Sequence, residues 1–313
     1  MSRRMWIPNQ MLLVASVAVA LAMVPGAAAA AAAPRAGAPG EFTTIDVPGA
    51  AEGTVAVAVN DEGTVGGIAT DSSGLDHGFI YSRGAFTAVN VPGAAQTLVS
   101  CVNDLGVILG YDLDSNGAAH GFIDRHGVFT VINDPNAGEG PGQGTFSANI
   151  SNVGVIAGFY IDAGGVTHGF IDRGGVFTTV NDPNAGTASG QGTSVGFIND
   201  LGEVTGGYTA PNGDNVAFAG PLGDLTTISD PSGPPFSTLA AALNDLGVVV
   251  GEWLDTSEDF HGFTERNGVY TPVSDPLGVA GTAPQGISNR GVIVGFYTDA
   301  SGNNHGFEYS PGR

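Results

Sequence analysis

The chain has 313 residues, no lysine, a single cysteine, and charged residues at only 12%. Without lysine, Schiff-base chemistry through a side-chain amine is excluded. With Cys101 alone, no intramolecular disulfide can form, so the fold must hold by packing. Ala58 and Ala242 occupy the matching positions of two sister repeats described below, so Cys101 reads as a small core residue. Positive charge is scarce as well: nine arginines face 30 acids, for a net charge of −21. Such a surface repels nucleic acid and anionic membranes, and both are excluded as partners. No nucleophile elbow, P-loop, zinc cluster or dinucleotide fingerprint occurs, so no catalytic residue is assigned.

Long apolar runs are nearly absent. The one at residues 11–24 is about 14 residues, short for a membrane span. Arg3 and Arg4 precede it, and Pro25, Gly26 and an alanine tract with A-x-A sites near residues 28–33 follow. This is the layout of a cleaved export signal. The expected organisation is a signal peptide at 1–33, a linker at 34–40, one repeat domain at 41–309 and a tail at 310–313. The expected location is extracellular or periplasmic, with no membrane span in the mature protein. Loss of the first 33 residues removes two arginines and no acid, leaving −23.

What is abundant is glycine, 51 residues without a G-X-Y period, which means many turns rather than collagen. The tripeptide His-Gly-Phe recurs at His77, His120, His168, His261 and His305, with Val216-Ala217-Phe218 as a degenerate copy. Successive spacings are 43, 48, 48, 45 and 44 residues, giving six repeats of propeller-blade length. Each repeat holds four strand-like runs. In the second they are residues 97–102, 107–111, 120–124 and 129–133, separated by turn signals. Asp-x-x-Gly at Asp71, Asp114, Asp162 and Asp299 fits a turn ending in a left-handed glycine. The runs are apolar at consecutive positions, as in Val248-Val249-Val250, which predicts sheets covered on both faces.

Every repeat also carries a glycine inside its second run: Gly67, Gly110, Gly158, Gly206, Gly251 and Gly295. Glycine inside a strand costs about 0.5–1 kcal/mol, so the position is expected to require it, for a bulge or for close approach between blades. The last repeat lacks a fourth run, whereas an orphan fourth run at residues 42–46 precedes the first. The predicted fold is therefore an all-β six-bladed β-propeller of four-stranded antiparallel blades, closed by the N-terminal strand pairing in the last blade.

The repeat can be written I-N-x-x-G-x-I-x-G-x-Y-x-D-x-x-G-x-x-H-G-F. It runs from Ile287-Ser288-Asn289 through Gly295, Tyr297, Asp299 and Gly302 to His305-Gly306-Phe307. It resembles the extracellular repeat family named for its His-Ala-Phe tripeptide, with Gly where that name has Ala. The resemblance covers residues 41–309 and implies a secreted, bacterial, propeller-like protein. That family brings no established activity, so no catalytic residues carry over.

In a four-stranded blade the Asp-x-x-Gly turns and the long connectors share one face. The five blade arginines (Arg83, Arg125, Arg173, Arg266 and Arg290) fall on the other face, which leaves the connector face strongly acidic. Four rings stand two positions past the strand glycine: Tyr160, Tyr208, Trp253 and Tyr297. Beside carboxylates, exposed rings suit carbohydrate stacking, and inter-blade packing is the alternative. Asp112, Asp114 and Asn116 are the nearest approach to a calcium loop. They lack its distant bidentate glutamate, so a solvated turn is expected, with no cofactor or at most Ca²⁺. The histidines, one per blade, read as structural hydrogen-bonding groups to turn carboxylates such as Asp71 and Asp299. Spread around a ring, they cannot share a metal.

Three functions fit. The first is a secreted binding module, expected to be a monomer, for a glycan, a cell-surface polymer or a protein. The second is a propeller hydrolase or lyase using connector-face carboxylates. The third is a structural envelope or matrix protein. The fourth repeat and the Pro-rich connector at residues 232–236 diverge most and mark the place to look.

Overall fold

The computed structural model describes residues 40–312. The expected signal peptide and nearly all of the linker lie outside the described residues. What is described is all-β, with 24 strands and no helix. None of it is a helix long and apolar enough to cross a membrane.

The strands pair in antiparallel sets of four. Set one is β2 (Gly53–Val59), β3 (Val65–Thr70), β4 (Asp76–Ser82) and β5 (Ala85–Val89). Set two is β6 (Gln96–Val102), β7 (Ile108–Leu113), β8 (Ala119–Arg125) and β9 (Val128–Ile132). Set three is β10 (Gly144–Ile150), β11 (Val155–Ile161), β12 (Thr167–Arg173) and β13 (Phe177–Val180). Set four is β14 (Gly192–Ile198), β15 (Glu203–Thr209), β16 (Asn215–Pro221) and β17 (Thr226–Ile228). Set five is β18 (Thr238–Leu243), β19 (Val249–Leu254), β20 (Phe260–Arg266) and β21 (Val269–Val273). Set six has β22 (Thr282–Ile287), β23 (Ile293–Thr298) and β24 (Asn304–Ser310) from the end of the chain, and takes β1 (Glu41–Ile45) from its start. In that last pairing Phe42 lies opposite Tyr309 and Thr44 opposite Phe307. β24 also meets β2 in parallel at Gly53–Asn304, so the sixth set adjoins the first.

The phenylalanine of each His-Gly-Phe copy anchors its own set. Phe79, Phe122, Phe170, Phe218, Phe263 and Phe307 are all 0–2% exposed. Five of them meet a ring on the fourth strand: Phe86, Phe129, Phe177, Tyr270 and Phe42, at 5.2–5.5 Å. The repeated strand glycine is explained by the same rings. A Cβ on Gly67 or any of its five counterparts would come within 2.7–3.0 Å of that phenylalanine and collide with a carbonyl oxygen of the first strand. A β-bulge in the first strand sits directly across, as between Ala56 and Ala58 opposite Gly66 and Gly67. The close approach is thus within a set, not between sets. Contact between sets falls at the glycine of His-Gly-Phe, where a Cβ on Gly78 would reach 2.8 Å from Val99 of the next set.

Two hydrogen-bond patterns pass from strand to strand and from set to set. Before each first strand, a connector N–H donates to the threonine hydroxyl of that strand. The pairs are Val47 to Thr54, Val91 to Thr97, Asp134 to Thr145, Asp182 to Thr193, Asp230 to Thr238 and Asp275 to Thr282, at 2.9–3.0 Å. In the turn after each first strand, a backbone N–H donates to a side-chain oxygen of the next set. The sequence runs Asp61 to Asp104, Asp104 to Asn152, Asn152 to Asp200, Asp200 to Asp245, Asp245 to Asn289 and Asn289 back to Asp61, at 2.7–2.9 Å.

One core position breaks the repeat. The residue after the strand glycine is Ile68, Tyr111, Phe159, Gly207 and Phe296 in five sets but Glu252 in the fifth. Glu252 is 2% exposed and meets Gln285 of set six at 3.5 Å, with its Oε2 and the Gln285 Oε1 otherwise unpartnered. Burial pushes its carboxyl up to about 8, while the Gln285 contact works the other way. A carboxyl raised on folding holds its proton in the native state. Stability is therefore full below the unfolded value near 4.5 and falls as pH rises toward 8. The loss is roughly 3–5 kcal/mol at 1.4 kcal/mol per unit. Glu252→Gln should remove most of it, which melting curves from pH 5 to 9 would show as a flatter profile than the parent's.

Candidate functional site

Strand connectivity alternates between two ends of the sets. The Asp-x-x-Gly turns and the long connectors lie at one end, and the Asn-Asp-x-Gly and arginine turns at the other. At the connector end, the residue two past the strand glycine pairs across the ladder with the repeat histidine. The pairs are Tyr160–His168, Trp253–His261 and Tyr297–His305, with Ala69–His77, Asp112–His120 and Tyr208–Val216 in the remaining sets. Where the partner is a ring it stacks on the imidazole, with centroids 4.9, 4.1 and 5.1 Å apart.

Each histidine then reaches the aspartate of its own turn. Nε2–Oδ2 distances are 2.9 Å for His77–Asp71, 3.2 Å for His168–Asp162, 3.1 Å for His261–Asp255 and 3.4 Å for His305–Asp299. His120 stands 3.8 Å from Asp114 and bonds Asn133 instead. The same aspartates organise the turns, as Asp71 Oδ1 accepts the N–H groups of Ser73 and Leu75. The His77 bond, with those two amides, holds the Asp71 carboxyl below the usual range. Asp112 is buried and Asp114 Oδ1 accepts from Asn116 and Ala118, so this aspartate is engaged by its own turn. Among the described residues no group of three His, Cys, Asp or Glu side chains is placed to hold a metal.

The four candidate rings do not share one environment. Tyr160 and Tyr297 are 5% and 4% exposed and belong to the packing between sets, so they present no ring to a ligand. Tyr208 and Trp253 are half-buried. Trp253 lies on His261, and a Cβ on Gly233 of the preceding connector would come within 3.0 Å of its indole.

Around Trp253 the backbone departs from the repeat twice. The fourth position of the turn is a left-handed glycine in the other sets: Gly74, Gly117, Gly165, Gly213 and Gly302. Set five has Glu258 there, at φ 70°. In the connector, Phe236 sits at φ 62° with 53% of its surface exposed. Left-handed backbone costs a side chain roughly 1–2 kcal/mol. The other non-glycine residues with positive φ (Arg83, His126 and Asn267) all precede a glycine in the arginine turns. Phe236 and Glu258 flank one corner, because Ser237 accepts from Leu254 N–H and Glu258 N–H donates to Asp255. Strain confined to a corner that also exposes an aromatic ring marks a functional candidate.

The corner holds two unlike carboxyls. Partial burial would raise Asp255, but the His261 bond and the N–H groups of Asp259 and Ser257 hold it low. Burial and then the Asp255 charge push Asp259 up. The split recurs at Asp71 and Asp76, where no ring stands across from the histidine, so it belongs to the turn. Trp253 and the connector at residues 232–236, which ends at Phe236, pointed to this corner from sequence. Glu258 was missed, although a glutamate in the glycine place of the turn was a visible signal.

At the opposite end a cavity of about 70 Å³ opens at the centre of the turns. Its lining includes Asp61, Asp104, Asn152, Asp200, Asp245 and Asn289, whose Oδ1 atoms accept the set-to-set bonds above. This end is not basic. Asp124, Asp172 and Glu265 cap its arginine turns, which adds acids beside Arg125, Arg173 and Arg266.

No family model and no curated protein matches the sequence. Solved structures do match the fold. AofleA from Arthrobotrys oligospora is similar at 11% identity and a TM-score of 0.54, over 88% of each chain. A mutant Aleuria aurantia lectin in complex with Fucα1-6GlcNAc is similar at 10% identity and a TM-score of 0.50, over 87% of this chain and 95% of that one. A putative TolB from Agrobacterium tumefaciens is similar at 10% identity and a TM-score of 0.54, over 83% of this chain and 91% of that one. Successive four-stranded antiparallel sets, in a fold shared with these structures, make the chain a β-propeller.

One titration isolates a histidine pair of this face. His305 also bonds Asp46, beside β1, at 2.8 Å. Burial would lower His305, but the bonds and charges of Asp46 and then Asp299 outweigh it and raise the imidazole. The stability it contributes is present below its unfolded value of ~6.5 and fades as pH rises through the folded value. NMR titration should place His305 above that reference, and Asp46→Asn should bring it down.

Proposed function

We propose that the chain is an exported, closed six-bladed propeller, sealed by β1, that binds a neutral glycan at the connector corner of blade five. The single observation that carries the site is Phe236, an exposed aromatic held in left-handed backbone beside the Trp253–His261 stack. The exposed Phe236 ring, in a connector tied through Ser237 to Leu254 and so to the turn carrying Asp255, Glu258 and Asp259, offers a stacking surface near hydrogen-bond acceptors for sugar hydroxyls. No described arginine lies at this end, which disfavours sulfated or uronic glycans and favours neutral ones. The fucosylated ligand of the Aleuria lectin makes fucosylated and plain neutral oligosaccharides the first probes. Nothing in this reading requires Ca²⁺. The six-member hydrogen-bond circuit and the β1–β24 pairing support closure, and the basic n-region with the apolar run at 11–24 supports export. The resemblance to the His-Ala-Phe repeat family belongs to the same proposal.

A hydrolase reading would need a carboxyl pair specific to the corner, and the Asp255–Asp259 split is shared with blade one. Glycan-array binding followed by calorimetry tests the site. Phe236→Ala and Trp253→Ala should each weaken binding by about tenfold or more. Glu258→Gly should raise Tm by relieving the left-handed strain, yet weaken binding. Unchanged affinity in all three variants would remove the site.

Closure has its own test. Deleting residues 34–47 leaves the β24 edge unpaired and should cost solubility or tens of degrees in Tm. A deletion variant as stable as the parent would refute the ring.

A further inference from the structure

The tips of the Asn-Asp-x-Gly turns form a circle around the channel mouth, at the end opposite the proposed glycan corner. Four consecutive blades place an apolar side chain at the tip. Leu105, Val153, Leu201 and Leu246 are 66, 69, 69 and 56% exposed. Blades one and six complete the circle with Glu62 and Arg290, both exposed and of opposite charge. The tips are rigidly aimed, since the N–H groups of Leu105, Leu201 and Leu246 donate to Asn103, Asn199 and Asn244. Four side chains of this size left to water in one arc are an unpartnered surface.

We infer that a second copy of this chain covers the arc, face to face, about a two-fold axis that passes between blades one and six and between blades three and four. Such an axis brings each blade onto the one of complementary number: one onto six, two onto five, three onto four. Leu105 then meets Leu246 of the second copy, Val153 meets its Leu201, and Glu62 meets its Arg290. Each contact occurs twice, as a two-fold interface demands. Any other register sets a charged tip over an apolar tip or over its like. The outer turns agree in two cases of three: Arg173 faces the second copy's Asp224, and Arg83 faces its Glu41, all exposed. In the third, Arg125 faces the second copy's Arg266, and each has a neighbouring acid, Asp124 or Glu265, that caps its turn. The large net negative charge of each copy opposes association, but screening over ~8 Å at physiological salt confines that repulsion to close contacts. The dimer directs both connector ends outward, so one particle would present two glycan corners and gain avidity on a surface.

Sedimentation velocity on the purified protein up to ~100 µM at physiological salt tests the arrangement. The parent should be a dimer. Leu105→Asp and Leu201→Asp should each give a monomer with unchanged Tm. Glu62→Arg and Arg290→Glu should each raise the dissociation constant about tenfold, and the double variant should recover the parent value. A parent that stays monomeric at the highest concentration overturns the proposal. So does a dimer indifferent to the tip substitutions, or a double swap that fails to recover.

Discussion

Six backbone N–H groups, one in each repeat, donate to a side-chain oxygen in the next repeat, and the sixth returns to the first. A circuit of this kind is satisfied only as a whole, since displacing one blade unpairs a donor on one side and an acceptor on the other. Hydrogen bonds to charged acceptors contribute about 1.5–3 kcal/mol each, and losing one partner of a part-buried pair costs at least as much. Asp or Asn therefore stands in the second place of every such turn, because only these side chains reach back to a neighbouring amide from that distance. Asn152 shows how like charges are kept apart: its amide donates to both Asp104 and Asp200. The cavity these turns line is thus a structural joint, despite the four aspartates of the circuit on its wall.

With the joint fixed at one end, variation is free to collect at the other. Blades agree at the strand glycine, the core phenylalanine and the connector threonine, where backbone or ring contacts permit one answer. They disagree chiefly in blades four and five. Gly207 lacks the side chain of its counterparts, Glu252 buries a carboxyl, Glu258 replaces a turn glycine, and Phe236 is exposed in a left-handed connector. Each departure is unfavourable locally. Phe236 and Glu258 share one corner at the connector end, whereas Glu252 packs in the core against Gln285.

Much of this architecture was legible in the chain itself. The six copies, the four runs in each and the orphan first strand followed from spacing, and the observed strands differ from the expected runs by one or two residues at their ends, as with Ile108–Leu113 for the run at 107–111. The candidate site was less legible. Tyr160 and Tyr297 share a repeat position with Trp253 and Tyr208 yet are buried, because they join core clusters built between neighbouring sets. Of the two reasons expected for the strand glycine, the bulge holds and the approach between blades does not: the glycine meets the phenylalanine and first strand of its own blade, and the glycine after the histidine meets the next.

Sequence alone determined the number of repeats, their strand content, the acidic balance and the need for an N-terminal partner strand. Those properties are local or additive, readable from period, composition and turn chemistry. Tertiary structure alone decided which aromatic rings face water, where a carboxyl is stripped of water, and which turn tips share a circle. Those depend on residues tens of positions apart being brought into contact, and burial is a property of the neighbours a residue acquires rather than of the residue.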